Sequence, residues 1–461
     1  MGNTCGGVPE APPRYPLFHE AGLPLRLRSC HLLAFAGFVA MPLAVLGAKM
    51  MPILLVAAAL SVAALERRAL FARMPWGAAA LMALLTAWGA LTALWSIDPG
   101  RSLQLAAQVA GTGLAGLVLW AGARRLDARG ATVVGNGFLA GLLVALALLG
   151  FEILTAGMLT EFLRHTFQGP DAPFVYTVAF NRTTSVFAIF VWLAVLVLVP
   201  RRRPLAALAI VAATFFLLTR LENASSVVGL AIGAAVFLAS SINLKRTLRV
   251  VSVLIVAGGL ASPFLATQIT EGGSLEAIGS HVPTSHLHRL FIWNFAGERS
   301  LERPFFGWGL DASRAMPGRA TDMTAQINTL NPGSDNRGQG VRNDALQAMP
   351  LHPHNAMLQL WLELGLPGAV MSLLGVMLAL GRIAGLGLSG RHAAAVASLV
   401  VTAVVIALLS YGIWQVWWMA TLWLAGAGLL ALARAPGAPG DLNNSVASAA
   451  SGRSGSSATS P

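Results

Sequence analysis

Charge is what this chain has least of. Asp, Glu, Lys and Arg together make up 11% of its 461 residues, where soluble domains carry about 25%. An ordinary soluble fold is excluded, because 56% of the residues are apolar and the mean hydropathy is +0.69. Cysteine is nearly absent too. Cys5 and Cys30 supply neither a zinc pattern nor a disulfide framework. No apolar run precedes Cys5, so no cleavable secretory signal is expected. No Gly-rich phosphate loop, Walker pattern or Ser-His-Asp set is present. Basic residues outnumber acidic ones, for a formal charge of +12. They fall mainly in short loops between apolar runs, which makes the excess a topology signal and not a nucleic-acid footprint.

Those apolar runs define the fold class: an all-α polytopic membrane protein with about 12 transmembrane helices and one large helical loop on the outside. A span needs about 20 apolar residues. The runs lie at 31–47, 49–65, 74–96, 101–121, 131–156, 183–200, 204–219, 224–241, 248–267, 354–381, 391–411 and 414–433. They are continuous and lack the alternation of barrel strands. With the N-terminus in the cytoplasm, the clusters Arg67–Arg73, Arg124–Arg129, Arg201–Arg203 and Lys245–Arg249 fall inside, as does Arg391. The short outside segments hold only Lys49, Arg101, Arg164, Arg182 and Arg220. That bias predicts an even number of spans with both termini inside. The organisation expected is a cytoplasmic segment 1–30, spans one to nine over 31–267, an outside loop 268–353, spans ten to twelve over 354–433, and a disordered tail 434–461. The loop exceeds the usual length of unstructured connections, so it should carry structure or function. A helix is expected from Thr284 or Ser285, with Leu287, Leu290, Phe291 and Phe295 at helical spacing. Pro304–Gly309 reads as a turn with exposed aromatics, and 331–343 as a flexible stretch.

Titratable groups meet the membrane in His352-Pro-His-Asn-Ala-Met-Leu-Gln-Leu-Trp-Leu-Glu-Leu-Gly-Leu-Pro-Gly368. Pro353 suits the first helical position, so His354 should lie in the first turn of the tenth span. At about 100° per residue, Trp361, Gly365 and Gly368 fall near the His354 face and Glu363 points away. A helix N-terminus disfavours the imidazolium, which keeps His354 neutral as a general base requires. The plainer alternative is an interfacial histidine that only hydrogen-bonds. A metal site at His352 and His354 lacks a third ligand at a recognisable spacing, so no metal and no cofactor is expected. Arg220 and Arg182 sit at outer helix ends, and Arg289 lies on the loop helix. Guanidinium forks suit phosphate oxygens. The competing readings are snorkelling to headgroups, neutralisation of Arg220 by Glu222, and simple exposure for Arg289. Arg299, Arg303, Arg314, Arg319, Arg337 and Arg342 read as solvated charge.

Together these features resemble the bacterial O-antigen ligases. The resemblance rests on His354-Asn355 followed by Gly365-Leu-Pro-Gly368, on Arg289-x-x-x-Trp293 followed by Pro304 and Gly307-Trp-Gly309, and on an arginine after the seventh span, here Arg220. Leu221-Glu222 replaces the small residues that commonly follow that arginine. The resemblance implies a fold like the C-type membrane glycosyltransferases, in a bacterial inner membrane, with the site facing the periplasm. It also implies inverting, metal-independent transfer of polysaccharide from undecaprenyl diphosphate to the outer-core sugar of lipid A–core. His354 would be the general base, and Arg220 and Arg289, with Arg182, would hold the diphosphate. Asn355 and Trp361 would belong to the substrate-binding set. The partners implied are the lipid-linked polysaccharide, lipid A–core and membrane lipid, with no nucleic acid. The absence of an Asp-x-Asp pair suits a donor used without metal. An O-antigen polymerase or a protein O-oligosaccharyltransferase shares the donor and differs in acceptor. A lipid-linked glycan transporter would instead show repeated halves and mid-membrane polar groups.

Overall fold

The computed structural model describes residues 28–124, 126–269, 282–331 and 346–433. The N-terminal segment before Arg28, the stretch 332–343 and the tail from 434, with the expectations attached to them, lie outside the described residues. The regular secondary structure of the described residues is helical, apart from one isolated bridge between Asp322 and Gln347. The principal helices are α1 (Ser29–Gly47), α2 (Met51–Glu66), α3 (Trp76–Leu91), α4 (Pro99–Ala123), α5 (Ala128–Leu154), α6 (Met158–Gln168), α7 (Asn181–Leu198), α8 (Pro204–Leu218), α9 (Ala224–Thr267), α10 (Thr284–Glu302), α11 (Ala356–Ile383), α12 (Gly390–Leu409) and α13 (Val416–Leu432).

Among the described residues, eight helical stretches are long and apolar enough to cross a membrane, and α8 and α13 are shorter apolar helices. Two of the eight, Ser29–Glu66 and Ala224–Thr267, are long enough for two crossings and are interrupted between them. Gly47 leaves the helical region between α1 and α2 (φ −176°, ψ 72°). Asn243 breaks α9 (φ −146°, ψ 88°), and its Oδ1 caps the second half by accepting the Arg246 N–H. Asn, a poor helix former, thus ends one helix and starts the next. This is the break expected between the eighth and ninth spans. Caps elsewhere follow the sequence: Asp98 accepts from the Arg101 N–H and Asp127 from the Gly130 N–H.

The core is built around α7, which is buried on all sides from Thr183 to Leu198. A helix apolar all round belongs inside a bundle. Polar links tie it to its neighbours: Thr183 donates to the Ala44 carbonyl, and Trp192 Nε1 donates to Thr402 Oγ1. The outer helices leave large apolar side chains exposed, among them Phe35, Leu205, Ile242 and Leu254. Such a surface suits lipid as its solvent.

The expected continuous helix 354–381 is broken. Gly365 takes φ 65°, ψ −162°, a conformation that side-chain-bearing residues avoid. The outside loop fills the break. The Trp308 N–H donates to the Leu362 carbonyl (2.8 Å), the Gly309 N–H to the Glu363 carbonyl (3.0 Å), and the Leu366 N–H to the Pro304 carbonyl (2.8 Å). The two backbones approach so closely that a Cβ on Gly365 would lie 2.5 Å from the Phe305 carbonyl oxygen. A Cβ on Gly307 would lie 2.5 Å from that of Glu363. This gives a physical reason for both glycine motifs: carbonyls freed by the break need donors, and only glycines let the loop supply them. Phe305 and Phe306 remain exposed, as the turn reading expected.

Candidate functional site at the loop end of the bundle

The site begins at the start of α11. Asn355 is its cap, with Oδ1 accepting the N–H groups of Met357 (3.0 Å) and Leu358 (3.1 Å). His354 therefore stands just outside the helix and not in its first turn. The reason is competition: an Asn side chain caps a helix far better than an imidazole does. His354 takes a left-handed backbone conformation (φ 55°), uncommon for a residue with a side chain. Its Nδ1 lies 2.6 Å from the Ser410 carbonyl oxygen. A carbonyl only accepts, so Nδ1 carries the proton and Nε2 keeps the free lone pair. Burial holds the His354 pKa down to about 4, aided by the Arg289 and His288 charges and opposed by the Ser410 carbonyl. The ring is neutral at pH 7. His352 packs against it at 4.3 Å between ring centroids. It is itself buried, which depresses its pKa, and its Nδ1 accepts the His354 N–H (3.2 Å).

One connection organises these groups. The expected spans 391–411 and 414–433 left two residues between them; the structure ends α12 at Leu409 and starts α13 at Val416. Arg289 Nη1 donates to the Leu409 carbonyl (3.2 Å), and His354 holds the next carbonyl, that of Ser410. Arg289 thus turns toward the bundle. The Tyr411 hydroxyl donates to the Asn181 carbonyl, and Asn223 Nδ2 reaches both groups (3.1 and 2.6 Å). Gly412 lies against the His352 ring, where a Cβ would come within 2.9 Å. Ile413 N–H donates to Gln359, and Gln415 Nε2 lies 3.0 Å from His352 Nε2. The signal for this hub was present in the polar interruption Ser410-Tyr-Gly-Ile-Trp-Gln415, which sequence reasoning treated as a mere connection.

Glu363 is a second group whose importance the helical wheel did not reveal. It is fully buried and accepts four hydrogen bonds, from the Asp311 N–H, Ser313 Oγ, Gln359 Nε2 and Trp414 Nε1. A buried carboxylate is tolerated when its lone pairs are satisfied in this way. It joins the outside loop, α11 and the 410–415 connection at one point.

Two cavities flank His352–Asn355. One, of about 400 Å³, is polar and is lined by Lys49, Arg101, Arg182, Arg314, Asp311 and His352 among others. Arg101 and Arg314 both pair with Asp311 (2.9 and 3.2 Å). Arg182 has no ion pair among the described residues, and its Nε is buried without a hydrogen-bond partner. A basin with four cations and one carboxylate is suited to an anion. Arg314, read from sequence as solvated charge, belongs to this basin. The other cavity, of about 610 Å³, is apolar, lined by Leu254, Gly258, Leu358, Leu373 and Ile413, with Asn355 at its polar end.

The remaining expected residues fall as follows. Arg220 is exposed, stacks on Phe216 (4.5 Å to the ring centroid), forms no ion pair with Glu222, and lines neither of these two cavities. Trp361 is buried and donates from Nε1 to the Gly259 carbonyl across the α9–α11 contact (3.0 Å). Among the described residues, no group of three or more His, Cys, Asp or Glu side chains is placed to hold a metal ion.

No protein-family model matches the chain. It is similar to rickettsial proteins that carry the name "Putative polysaccharide ligase". The one from Rickettsia typhi is 28% identical over 290 residues, which is 63% of this chain and 65% of that protein. Those from Rickettsia prowazekii and Rickettsia conorii are each 26% identical, over 342 and 355 residues. These matches cover 74% and 76% of this chain, and 77% and 79% of the relatives. The chain is a multi-pass helical membrane protein, and these likenesses support a ligase-like enzymatic function in polysaccharide assembly.

Proposed function

We propose that this chain is an O-antigen-ligase-like glycosyltransferase that moves a polysaccharide from undecaprenyl diphosphate to the outer-core sugar of lipid A–core. The observation that carries this reading is a neutral imidazole with a free Nε2 in a short segment that an arginine-rich basin meets at His352 and an apolar groove meets at Asn355. The acceptor hydroxyl oxygen attacks the anomeric carbon of the donor from the face opposite the diphosphate and gives its proton to His354 Nε2. The anomeric C–O bond breaks, and the diphosphate leaves with the electron pair, so configuration inverts. Arg182 and Arg289 stabilise that leaving charge, while Arg220, exposed between α8 and α9, meets the lipid-linked donor first. The apolar groove takes the isoprenoid chain. Asn355 caps α11 at the junction of donor and acceptor, and Trp361 holds α11 against α9 along the groove. Splitting the two double-length stretches and adding the two shorter helices gives twelve crossings. Both termini are then cytoplasmic, and the site faces the periplasm of the inner membrane.

The test is transfer by purified protein in lipid nanodiscs, with lipid-diphosphate polysaccharide and rough lipopolysaccharide. Wild type should extend the lipopolysaccharide. His354→Ala should fold, bind donor and lose roughly 10²–10⁴-fold in rate. Near-normal transfer by a folded His354→Ala protein would remove the histidine from the chemistry. Joining of donor repeat units to one another, with no modified lipopolysaccharide, would point to a polymerase.

A further inference from the structure

Helix α6 has no place in that chemistry. At about 100° per residue, Met158, Leu159, Phe162, Leu163 and Phe167 fall on one half of it, with Thr166 among them, and Thr160, Glu161, Arg164, His165 and Gln168 on the other. The outer part of the apolar half is not packed inside the protein: Met158 is 55% exposed, Phe162 64% and Phe167 82%, while Leu159 and Leu163 are half-buried. Eleven residues span about 16 Å, roughly half the hydrocarbon thickness, so the helix cannot cross a bilayer. Its attachment is defined. Ala156 and Gly157 take left-handed conformations and turn the chain away from α5. The Gly157 N–H returns to the Glu152 carbonyl (2.7 Å), and the buried Glu152 carboxylate receives the Thr160 N–H (3.2 Å). The exposed apolar surface is continuous with the end of α5, where Phe151 and Leu154 also face outward.

We propose that α6 lies in the plane of the membrane interface, with Met158, Phe162 and Phe167 among the lipid acyl chains and Glu161, Arg164 and Gln168 at headgroup level. Continuity with the outward-facing end of α5 selects lipid as the occupant, because α5 is itself a membrane-crossing helix. Amphipathic helices of this kind settle about 5–10 Å into the boundary between headgroups and chains. From there the chain runs through residues 169–180 to α7, which carries Arg182.

The full chain, with Cys5→Ser and Cys30→Ala, would carry a nitroxide on Met158→Cys, Phe162→Cys, Phe167→Cys or, as the polar control, Glu161→Cys. It would be reconstituted in phosphatidylethanolamine–phosphatidylglycerol nanodiscs. Collisions with oxygen, which partitions into lipid, and with a water-soluble nickel chelate would be read by power-saturation electron paramagnetic resonance. The expected result is that oxygen collisions exceed nickel collisions severalfold at the three apolar positions, with the order reversed at Glu161→Cys. Nickel access at the apolar positions equal to that at Glu161→Cys would place the helix in water and overturn the proposal. Exclusion of both agents with an immobilised spectrum would mean that a second copy or another protein covers this face, and would overturn it equally.

Discussion

The depressed pKa of His354 can be tested by a pH profile. Burial, with the Arg289 and His288 charges beside it, places the group at about 4. A base acts in its neutral form, so rate falls as pH drops through the pKa and is flat above it. With a pKa of about 4, roughly 97% of the imidazole is neutral at pH 5.5, and essentially all at pH 7.5. An ordinary histidine near 6.5 would go from roughly 91% neutral to roughly 9% across the same interval, a tenfold loss. The assay is kcat/KM for transfer in nanodiscs from pH 4.5 to 8, because that ratio reports the free enzyme. The expected profile is level to about pH 5.5. Arg289→Gln removes a neighbouring cation and should move the acid limb upward, whatever it does to the plateau, while leaving it below 6.5 because burial persists. A wild-type limb centred near 6.5 would refute the buried, carbonyl-bound imidazole.

The remaining expectations concern the anion basin, the loop junction and metal dependence. Arg182→Lys and Arg289→Lys keep the charge but lose the planar fork, and each should cost at least about tenfold in transfer rate. Arg220→Lys should act mainly on KM, and an equal loss of kcat in Arg220→Lys would bring that arginine into the clamp. Gly365→Ala forces a side chain into a glycine-only conformation against the Phe305 carbonyl. With strain of about 1–3 kcal/mol and three loop hydrogen bonds of about 1 kcal/mol each at risk, it should lower stability by up to about 4–6 kcal/mol in denaturant titration. A change within about 0.5 kcal/mol would contradict the junction. Transfer should be unchanged by a divalent-ion chelator, and loss restored by an added divalent ion would show a metal requirement.

Local composition determined the helices. An apolar run has to satisfy its backbone internally once it leaves water, so continuous runs specify membrane-crossing helices wherever they occur. Asn243 and the arginine clusters marked breaks for equally local reasons, and the Gly365 and Gly307 motifs were visible as motifs. Their meaning was not, because each glycine is required by a backbone segment about 58 residues away. The site shows the same division. His354 stood out as a titratable group at a helix start. Its tautomer depends on the Ser410 carbonyl, its pKa on burial beneath α10, and its companions on the 410–415 connection. Arg182 and Arg220 look alike in sequence, each at a helix end on the same face of the bundle. Only the packing of α7 against α13 put the first into a basin and left the second on the surface. Glu363 looked peripheral on a wheel drawn for a straight helix, and became a four-bonded anchor once the loop filled the break at Gly365. Helix formation is decided within a few residues of the chain, whereas hydrogen-bond partners, desolvation and charge neighbours come from segments the fold brings together.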